Sequence, residues 1–394
     1  MGEEFSLTET SLIAEPTKTG VSLSKLKTRE QITGYLFVLP AFIIILIFGL
    51  FPIGYSFYMS LFNWRVTKGA FIGDANYLLI FGSWTNLLIT LAGIALVVAA
   101  FWLWNDAFKD LSQGKKFVKI AAAVVFLLGG VIFVTGWGQM YESGNPAFLK
   151  SLIITLYYAV GTVPAEVILG MILAFMLYQD IIGKDVFRMI YFLPYVTPSV
   201  TSAVVFQIIF SSRETSIANV ILGWFGISPQ KWRFEPRPLL NLLGANLSGF
   251  LAGPSLALIS IMIYGIWSFV GYNTVIFLAG LGNIPKETYE AAEIDGATKA
   301  QMFKNITMPL LSPTTFYLTL IGFIGTFKAF NHIFFLRTPS ARDSVITTSV
   351  LIFDNFYKAN QYGVATAQAI VLFFVILGLT LAQNKLMGER VFYG

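Results

Sequence analysis

Few residues in this 394-residue chain are of a type and spacing that support covalent or metal chemistry. There is no cysteine, which excludes disulfides, thiolate metal sites and cysteine catalysis, and the single histidine, His332, rules out a histidine-rich metal site. The nearest approach to a phosphate-cradling G-x-x-x-x-G-K-[ST] loop, Gly114-Lys115-Lys116, lacks both the first glycine and the hydroxyl residue. Glu166, just after Pro164, is the sole carboxylate placed for acid–base work, and it could as easily close a polar contact with a neighbour. No paired carboxylates occur within an apolar run, so ion-coupled transport has little to stand on. Two non-covalent patterns remain. One is the charged, alanine-rich, glycine-broken stretch YEAAEIDGATKAQMFKNITMPLL, Tyr289–Leu311. The other is a set of polar and aromatic residues inside apolar runs: Tyr195, Ser199 and Gln207, then Trp267, Tyr272 and Asn273, then Thr326, Lys328 and Asn331.

The elements that must hold these residues follow from composition. The chain is 56% hydrophobic and 12% charged, with a mean hydropathy of +0.71. Soluble domains carry about 25% charged residues, so a bilayer is the implied solvent. The net charge of +5 is scattered through loops rather than gathered in a nucleic-acid-binding stripe. A bilayer core needs about 20 apolar residues per helix, which yields about eight spans: Thr33–Tyr58, Asn86–Trp104, Phe117–Trp137, Ser151–Tyr178, Val186–Phe210, Ser255–Leu281, Leu311–Phe334 and Ala365–Leu386. Residues 1–32 form a polar tail, expected to be flexible and cytosolic, and not a signal peptide. Basic residues in the short loops, among them Lys109, Lys115, Lys184, Arg188, Lys286, Lys299 and Lys304, fall on one side if both termini are cytosolic. Arg213, Lys231, Arg233 and Arg237, in the longest interior loop, run against that assignment. Tyr289–Leu311 then faces the cytosol.

Within that stretch, Pro285 suits a first helical position, Gly296 allows a left-handed turn, and Thr298 with Gln301 has the form of a capping box. Met302, Phe303 and Ile306 share one face of the second helix, and Pro309 leads into span seven. The residues alone leave two readings open: an ordinary charged cytosolic loop, or a knob whose Ala291-Ala292 face enters a partner's groove. Likewise, polar residues in spans either line a cavity or glue helices together. For Lys328 the residues favour a side chain reaching the outer interface, and for His332 an interfacial position.

The order Glu290-Ala291-Ala292, Gly296, Ile306, Pro309, within NIPKETYEAAEIDGA, resembles the "EAA" loop of the membrane subunits of bacterial ABC importers, in the carbohydrate-uptake branch that handles maltose-type oligosaccharides, glycerol phosphates and other sugars. Leu39–Trp64, Phe71–Tyr77, Gly183–Phe210 and the C-terminal YGVATAQAIVLFFVILGLTLAQNKL are also similar to that family. Two departures stand out. Gly82–Pro146 holds two apolar runs where six-span members run on directly, which reads as an inserted transmembrane hairpin. In FNHIFFLRTPSARDS, Asn331 and Thr338-Pro339-Ser340 replace the family's Asp and Gly-Gly-Pro, which puts substrate contacts from that stretch in doubt.

The resemblance implies an all-α integral membrane protein with a type I ABC importer permease core. Its expected organisation is a cytosolic tail (1–32), a first span and outer segment (33–81), the hairpin (82–146), and the core (147–394) with its coupling loop (282–310). It implies a bacterial or archaeal plasma-membrane subunit, not an enzyme, that forms half of a sugar pathway. The partners implied are a second homologous permease, an ABC ATPase dimer carrying ATP and Mg²⁺, and an extracytoplasmic sugar-binding protein. No cofactor or metal is expected in this chain. Coupling falls to Glu290, Ala291, Ala292, Asp295, Gly296, Ile306 and Pro309. Substrate contact falls to Tyr195, Ser199, Gln207, Trp267, Tyr272, Asn273 and Asn331, because sugars need hydrogen bonds beside aromatic faces. A membrane-embedded sensor or assembly protein without transport activity is the competing reading, and it would need no ATPase-docking knob.

Overall fold

The computed structural model describes residues 23–108, 116–179, 182–388 and 391. Among them the chain is helical nearly throughout, with one small antiparallel hairpin of Phe62–Trp64 against Lys68–Phe71. Six helices are long and apolar enough to cross a membrane: Glu30–Ser60, Trp84–Trp104, Phe117–Ser143, Pro146–Tyr178, Leu256–Gly282 and Tyr362–Gly388. Two bent pairs, each a broken span or a re-entrant loop, bring the candidate crossings to as many as eight: Lys184–Val196 with Ser199–Ile209 (97°) and Lys299–Leu310 with Ser312–Phe327 (59°). In chain order these are spans one to eight of an all-α integral membrane protein. Lys18, Lys109, Lys115 and Arg390 lie outside the described residues, as does the tail up to residue 22. The first helix starts at Leu23, inside the segment expected to be flexible.

The chain divides into two compact units, Met1–Tyr55 and Ser56–Gly394. In the first, a π turn at Leu46–Leu50 stands directly before Pro52. Proline there removes the N–H that would bond four residues back, and a wider turn absorbs the break. The same device recurs in the second unit, where a π turn at Phe303–Thr307 precedes Pro309.

Span four is the central post of the second unit. Pro146 occupies its first turn, and the Asn145 side chain accepts from the Phe148 N–H to cap it. Its buried face runs from Phe148 through Tyr158, Val163, Glu166 and Gly170 to Leu177. Lipid tails are as apolar as leucine, so close packing at small residues must hold helices together here. Gly170 lets Asn273 of span six approach, a Cβ at Gly265 would sit 3.3 Å from the Tyr158 ring, and one at Gly322 of span seven would sit 2.9 Å from Val163.

Spans two and three form a hairpin whose helices pack along their length on the same principle, with Gly93 against the Phe133 backbone and Gly129 against that of Val97. The hairpin leaves and rejoins the chain at one point: the Asn145 N–H donates to the Ile80 carbonyl (3.1 Å), and Asn86 Nδ2 donates to Ser143 Oγ (2.9 Å). At its far end the Lys385 ammonium of span eight lies 3.5 Å from the Trp102 ring centre.

Three expectations are corrected. Span five, expected as one kinked helix over 186–210, is two helices: Thr197, the residue before Pro198, is extended (φ −68°, ψ 134°), as proline demands of its predecessor. Span seven was expected to reach Phe334, but its helix stops at Phe327 and a new one begins at Asn331. Pro285 is the cap of the helix Lys286–Ile294 and not its first residue.

Candidate functional site

The first candidate, the stretch Tyr289–Leu311 with the helical turn before it, is a helix–turn–helix. Lys286–Ile294 ends on Gly296, whose φ of +78° is free of strain only for glycine. Two hydrogen bonds close the end: the Gly296 N–H donates to the Glu293 carbonyl (3.0 Å) and the Ala297 N–H to the Ala292 carbonyl (2.9 Å). This is a Schellman closure, satisfying carbonyls that the helix end would orphan. The next helix opens with the expected reciprocal cap: Thr298 N–H donates to Gln301 Oε1 (2.8 Å) and Gln301 N–H to Thr298 Oγ1 (3.3 Å). Tyr289 and Thr307 hydroxyls, 2.9 Å apart, tie the two helices together. Leu281, Ile284 and Leu311 are buried with Val163, Phe277 and Leu318, rooting the knob on spans four, six and seven. Phe303 meets Phe175 edge-on at 5.0 Å. Glu290, Ala291, Glu293, Asp295 and Gly296 are exposed; Ala292, Ile306 and Pro309 are half-buried. Ile294, which sequence reasoning passed over, is 86% exposed at the tip. Its signal was a lone large apolar side chain between Glu293 and Asp295.

The second candidate lies between spans five, six and seven. Gly271 brings span six against the backbone of Tyr191 and Phe192 in the first arm of span five. That close approach stacks Tyr195 on Tyr272 (centroids 4.9 Å, planes 26° apart), with Phe269 at 5.9 Å. The Tyr272 side chain neighbours that of Tyr317 in span seven, a residue sequence reasoning missed. Tyr317, Ile321, Gly325 and Lys328 form an exposed stripe, continued by Asn331 on the next helix.

The other expected contacts are placed differently. Gln207 is tied down, its Nε2 donating to the Phe335 carbonyl (2.8 Å). The Ser199 carbonyl accepts from the Tyr264 hydroxyl (3.1 Å). Trp267 is half-exposed beside Phe206 (5.0 Å). Asn273 is buried against Gly170, apart from the tyrosine pair. His332 is not interfacial but buried: its Nε2 lies 2.7 Å from the Tyr158 hydroxyl, and its ring stacks on Tyr264 at 5.0 Å. A partner for its nitrogen and two aromatic faces make burial affordable for a polar ring. Glu166 is buried as well, and its Oε1 has no hydrogen-bond partner among the described residues.

At the end of the core opposite the knob, Asp354 is buried among three cations. Arg337 binds it through both Nη atoms (2.7 and 3.2 Å), Lys358 Nζ lies at 3.0 Å and Arg342 Nη2 at 3.3 Å. Burial raises the carboxyl's pKa, but the hydrogen bonds from Arg337 and Lys358 outweigh it, and the net shift is downward.

Comparisons with known proteins agree with this architecture. Residues 166–391 match the family described as binding-protein-dependent transport system inner membrane component. The arabinooligosaccharides transport system permease protein AraP of Bacillus subtilis is 31% identical over 265 residues, 67% of this chain and 79% of AraP. The trehalose/maltose transport system permease protein MalF of Thermococcus litoralis is 27% identical over 364 residues, 92% of this chain and 96% of MalF. In a crystal structure of a bacterial alginate ABC transporter in complex with an alginate pentasaccharide-bound periplasmic protein, one chain shares the fold at a TM-score of 0.52 and 22% identity, covering 72% of this chain and 96% of that one. With the family's region spanning more than half of its length, and the helices that region encodes arranged as described, this chain belongs to the inner-membrane permease components of binding-protein-dependent ABC transport systems.

Proposed function

We propose that the chain forms half of the translocation pathway of an ATP-driven importer for a sugar or oligosaccharide. The observation that carries this is the knob: an exposed tip of Glu290, Ala291 and Ile294 on a closed, capped turn, rooted in spans four, six and seven. Such a tip suits a groove on an ATPase subunit, where ATP and Mg²⁺ would be held, leaving this chain without cofactor or metal. The importer then comprises a second homologous permease, an ATPase dimer and an extracytoplasmic sugar-binding protein, in the plasma membrane with both termini cytosolic. Relatives named for arabinooligosaccharides and for trehalose/maltose support the substrate class. So does the stacked Tyr195–Tyr272 pair with Tyr317 beside it, an apolar platform edged by hydroxyls. Closure of the ATPases would push the knob and rock spans six and seven about that platform, alternating access between the two sides.

The test is to purify the tagged chain from native membranes, intact and as Gly296→Pro. Proline, fixed near φ −65°, cannot take the +78° conformation at this position. An ABC ATPase that accompanies the intact chain and is lost from the variant supports the reading. A second permease recovered with the intact chain but no ATPase would sink the docking role and favour a sensor or assembly protein.

A further inference from the structure

The segment joining spans five and six is built with its polarity reversed. A water-exposed loop turns apolar side chains inward and polar ones out. Here the buried side chains of the segment include Ser216, Asn219 and Glu235, at 6, 3 and 6% exposure, whereas Trp224, Phe225, Leu243 and Leu251 are 77, 74, 75 and 73% exposed. The buried Asn219 and Glu235 side chains are both hydrogen-bonded within the segment. Asn219 Oδ1 accepts from the Gln230 N–H (2.9 Å) and Trp232 Nε1 (2.6 Å), and its Nδ2 donates to the carbonyls of Arg213 (2.9 Å) and Gln230 (3.1 Å). Glu235 holds the Arg237 guanidinium through both carboxylate oxygens (2.8 and 3.1 Å). Asn219 and Glu235 are thus satisfied within the segment, while Trp224, Phe225, Leu243 and Leu251 stand out beside exposed Lys231 and Arg237.

The place of the segment fixes what that surface meets. It follows the second arm of span five, which ends at Ile209, and precedes span six, which begins at Leu256. The N–H groups of Leu256 and Ala257 donate to the carbonyls of Arg237 and Glu235 (both 3.1 Å), and the Leu239 N–H to the Pro254 carbonyl (3.1 Å). Phe250 stacks on Tyr157 of span four at 5.2 Å. The segment is therefore pinned to the ends of spans five and six and to the body of span four at Tyr157, a 27-residue helix or about 40 Å from the knob. Tryptophan and other apolar side chains at that depth match the belt where membrane proteins meet headgroups and upper acyl chains.

We infer that residues 217–251 are a lipid-facing anchor: Trp224, Phe225, Leu243 and Leu251 enter the headgroup–acyl boundary and fix the ends of spans five and six there while the knob end moves. An exposed apolar patch of this kind marks an interaction site, and its continuity with two membrane crossings selects lipid over a protein partner. The lipid contact needs only that the chain is an integral membrane protein, whereas the movement of the knob end rests on the proposed function; the test below reads the lipid contact alone.

The absence of cysteine gives a direct test. Phe225→Cys and Leu251→Cys, each carrying one nitroxide label, are measured in the complete importer in phosphatidylethanolamine/phosphatidylglycerol liposomes. The unsubstituted importer, treated in parallel, gives the background. Collision rates with oxygen, which partitions into lipid, are compared with those of a water-soluble nickel chelate. The anchor predicts oxygen collisions several-fold above nickel collisions at both positions. Nickel collisions equal to or above oxygen would place the surface in water and overturn the proposal. Suppression of both reagents would show that protein, such as a second permease or the binding protein, covers it, which also overturns it. A lipid-like ratio at one position alone would equally defeat the idea of a single anchoring face. If either variant fails to assemble, Leu243→Cys replaces it.

Discussion

Asp354 illustrates how one side chain can hold an end of this molecule. Its carboxylate is buried, and Arg337, the cation it holds by two hydrogen bonds, is only 13% exposed and lies 4.1 Å from the Phe334 ring centre. Removing the carboxylate strands a largely buried guanidinium, so Asp354→Asn is expected to cost about 3 kcal/mol at neutral pH, read as a lower unfolding temperature in lipid nanodiscs. The sign of the pH dependence follows from the lowered pKa. A depressed carboxylate contributes stability above its unfolded pKa of about 3.9 and loses it as pH falls through the folded value. The gap between parent and variant should therefore shrink below about pH 4. A second prediction concerns the tyrosine platform. Tyr272→Ala removes a stacked aromatic pair and should raise the half-saturating sugar concentration for uptake about tenfold, equivalent to ~1.4 kcal/mol. Asn273→Ala, one position on but buried against Gly170, should lower the unfolding temperature and leave that concentration unchanged. Equal effects of the two on uptake would remove the platform's special role. Sequence reasoning named both residues because both are polar in an apolar run, but successive helix positions point about 100° apart, and only packing sets Tyr272 on Tyr195 and Asn273 against Gly170. It missed Tyr317 for a related reason: nothing in one span's sequence shows which neighbouring span its hydroxyl will reach. Arg337, Arg342 and Lys358 look like scattered interfacial cations until the fold gathers them on one carboxylate.

Elements were more legible than contacts. Apolar run length located all six helices long enough to cross and both bent pairs, since it measures the bilayer directly, and the capping residues Thr298 and Gln301 marked a helix start that the structure places there. Breaks were less legible. Prolines at 194 and 198 both lie in span five, yet only the Thr197-Pro198 step turns the chain, by 97°. Hydropathy is blind to bends, and a proline in a helix can be absorbed when neighbours satisfy the freed carbonyl. The hairpin of spans two and three gives an element-scale prediction. Because the Asn145 N–H already meets the Ile80 carbonyl, deleting Ser83–Ser143 and joining Gly82 to Gly144 demands little movement elsewhere. The shortened chain should still insert and copurify with its partners. Its unfolding temperature should fall modestly, through loss of the Lys385–Trp102 contact, a cation–π interaction worth about 1 kcal/mol, and of the hairpin's packing on span four. Failure to recover any membrane-inserted product would make the hairpin a folding element of the core.

At the scale of the whole molecule, the two ends of span six carry different chemistry: the knob at Gly282 and the reversed-polarity segment at Leu256. Tyr272 lies between them, ten residues or about 15 Å from the knob end, so a push on the knob reaches the tyrosine pair through one continuous helix. Which end faces the cytosol decides whether ATP can supply that push. The basic residues Lys286, Lys299 and Lys304 argue for the knob end, whereas Arg213, Lys231, Arg233 and Arg237 argue against it from the other. Arg237 is held by Glu235 at 2.8 Å, but carboxylates count little in this bias, so the objection keeps its weight. A chain without cysteine allows the question to be put directly. Lys286→Cys and Glu214→Cys, each a single thiol, are exposed to a membrane-impermeant maleimide in intact cells and after permeabilisation. Cytosolic placement of the knob predicts immediate labelling at position 214 and labelling at 286 only after permeabilisation. The reverse pattern would put the knob out of reach of any ATPase, and coupling through Glu290–Pro309 would have to be abandoned even though the fold and family stand. Labelling of both positions in intact cells would instead mean that span six does not cross. That would contradict the 27-residue helix packed on span four; the packing is the same for either orientation, so the labelling alone decides between the first two patterns.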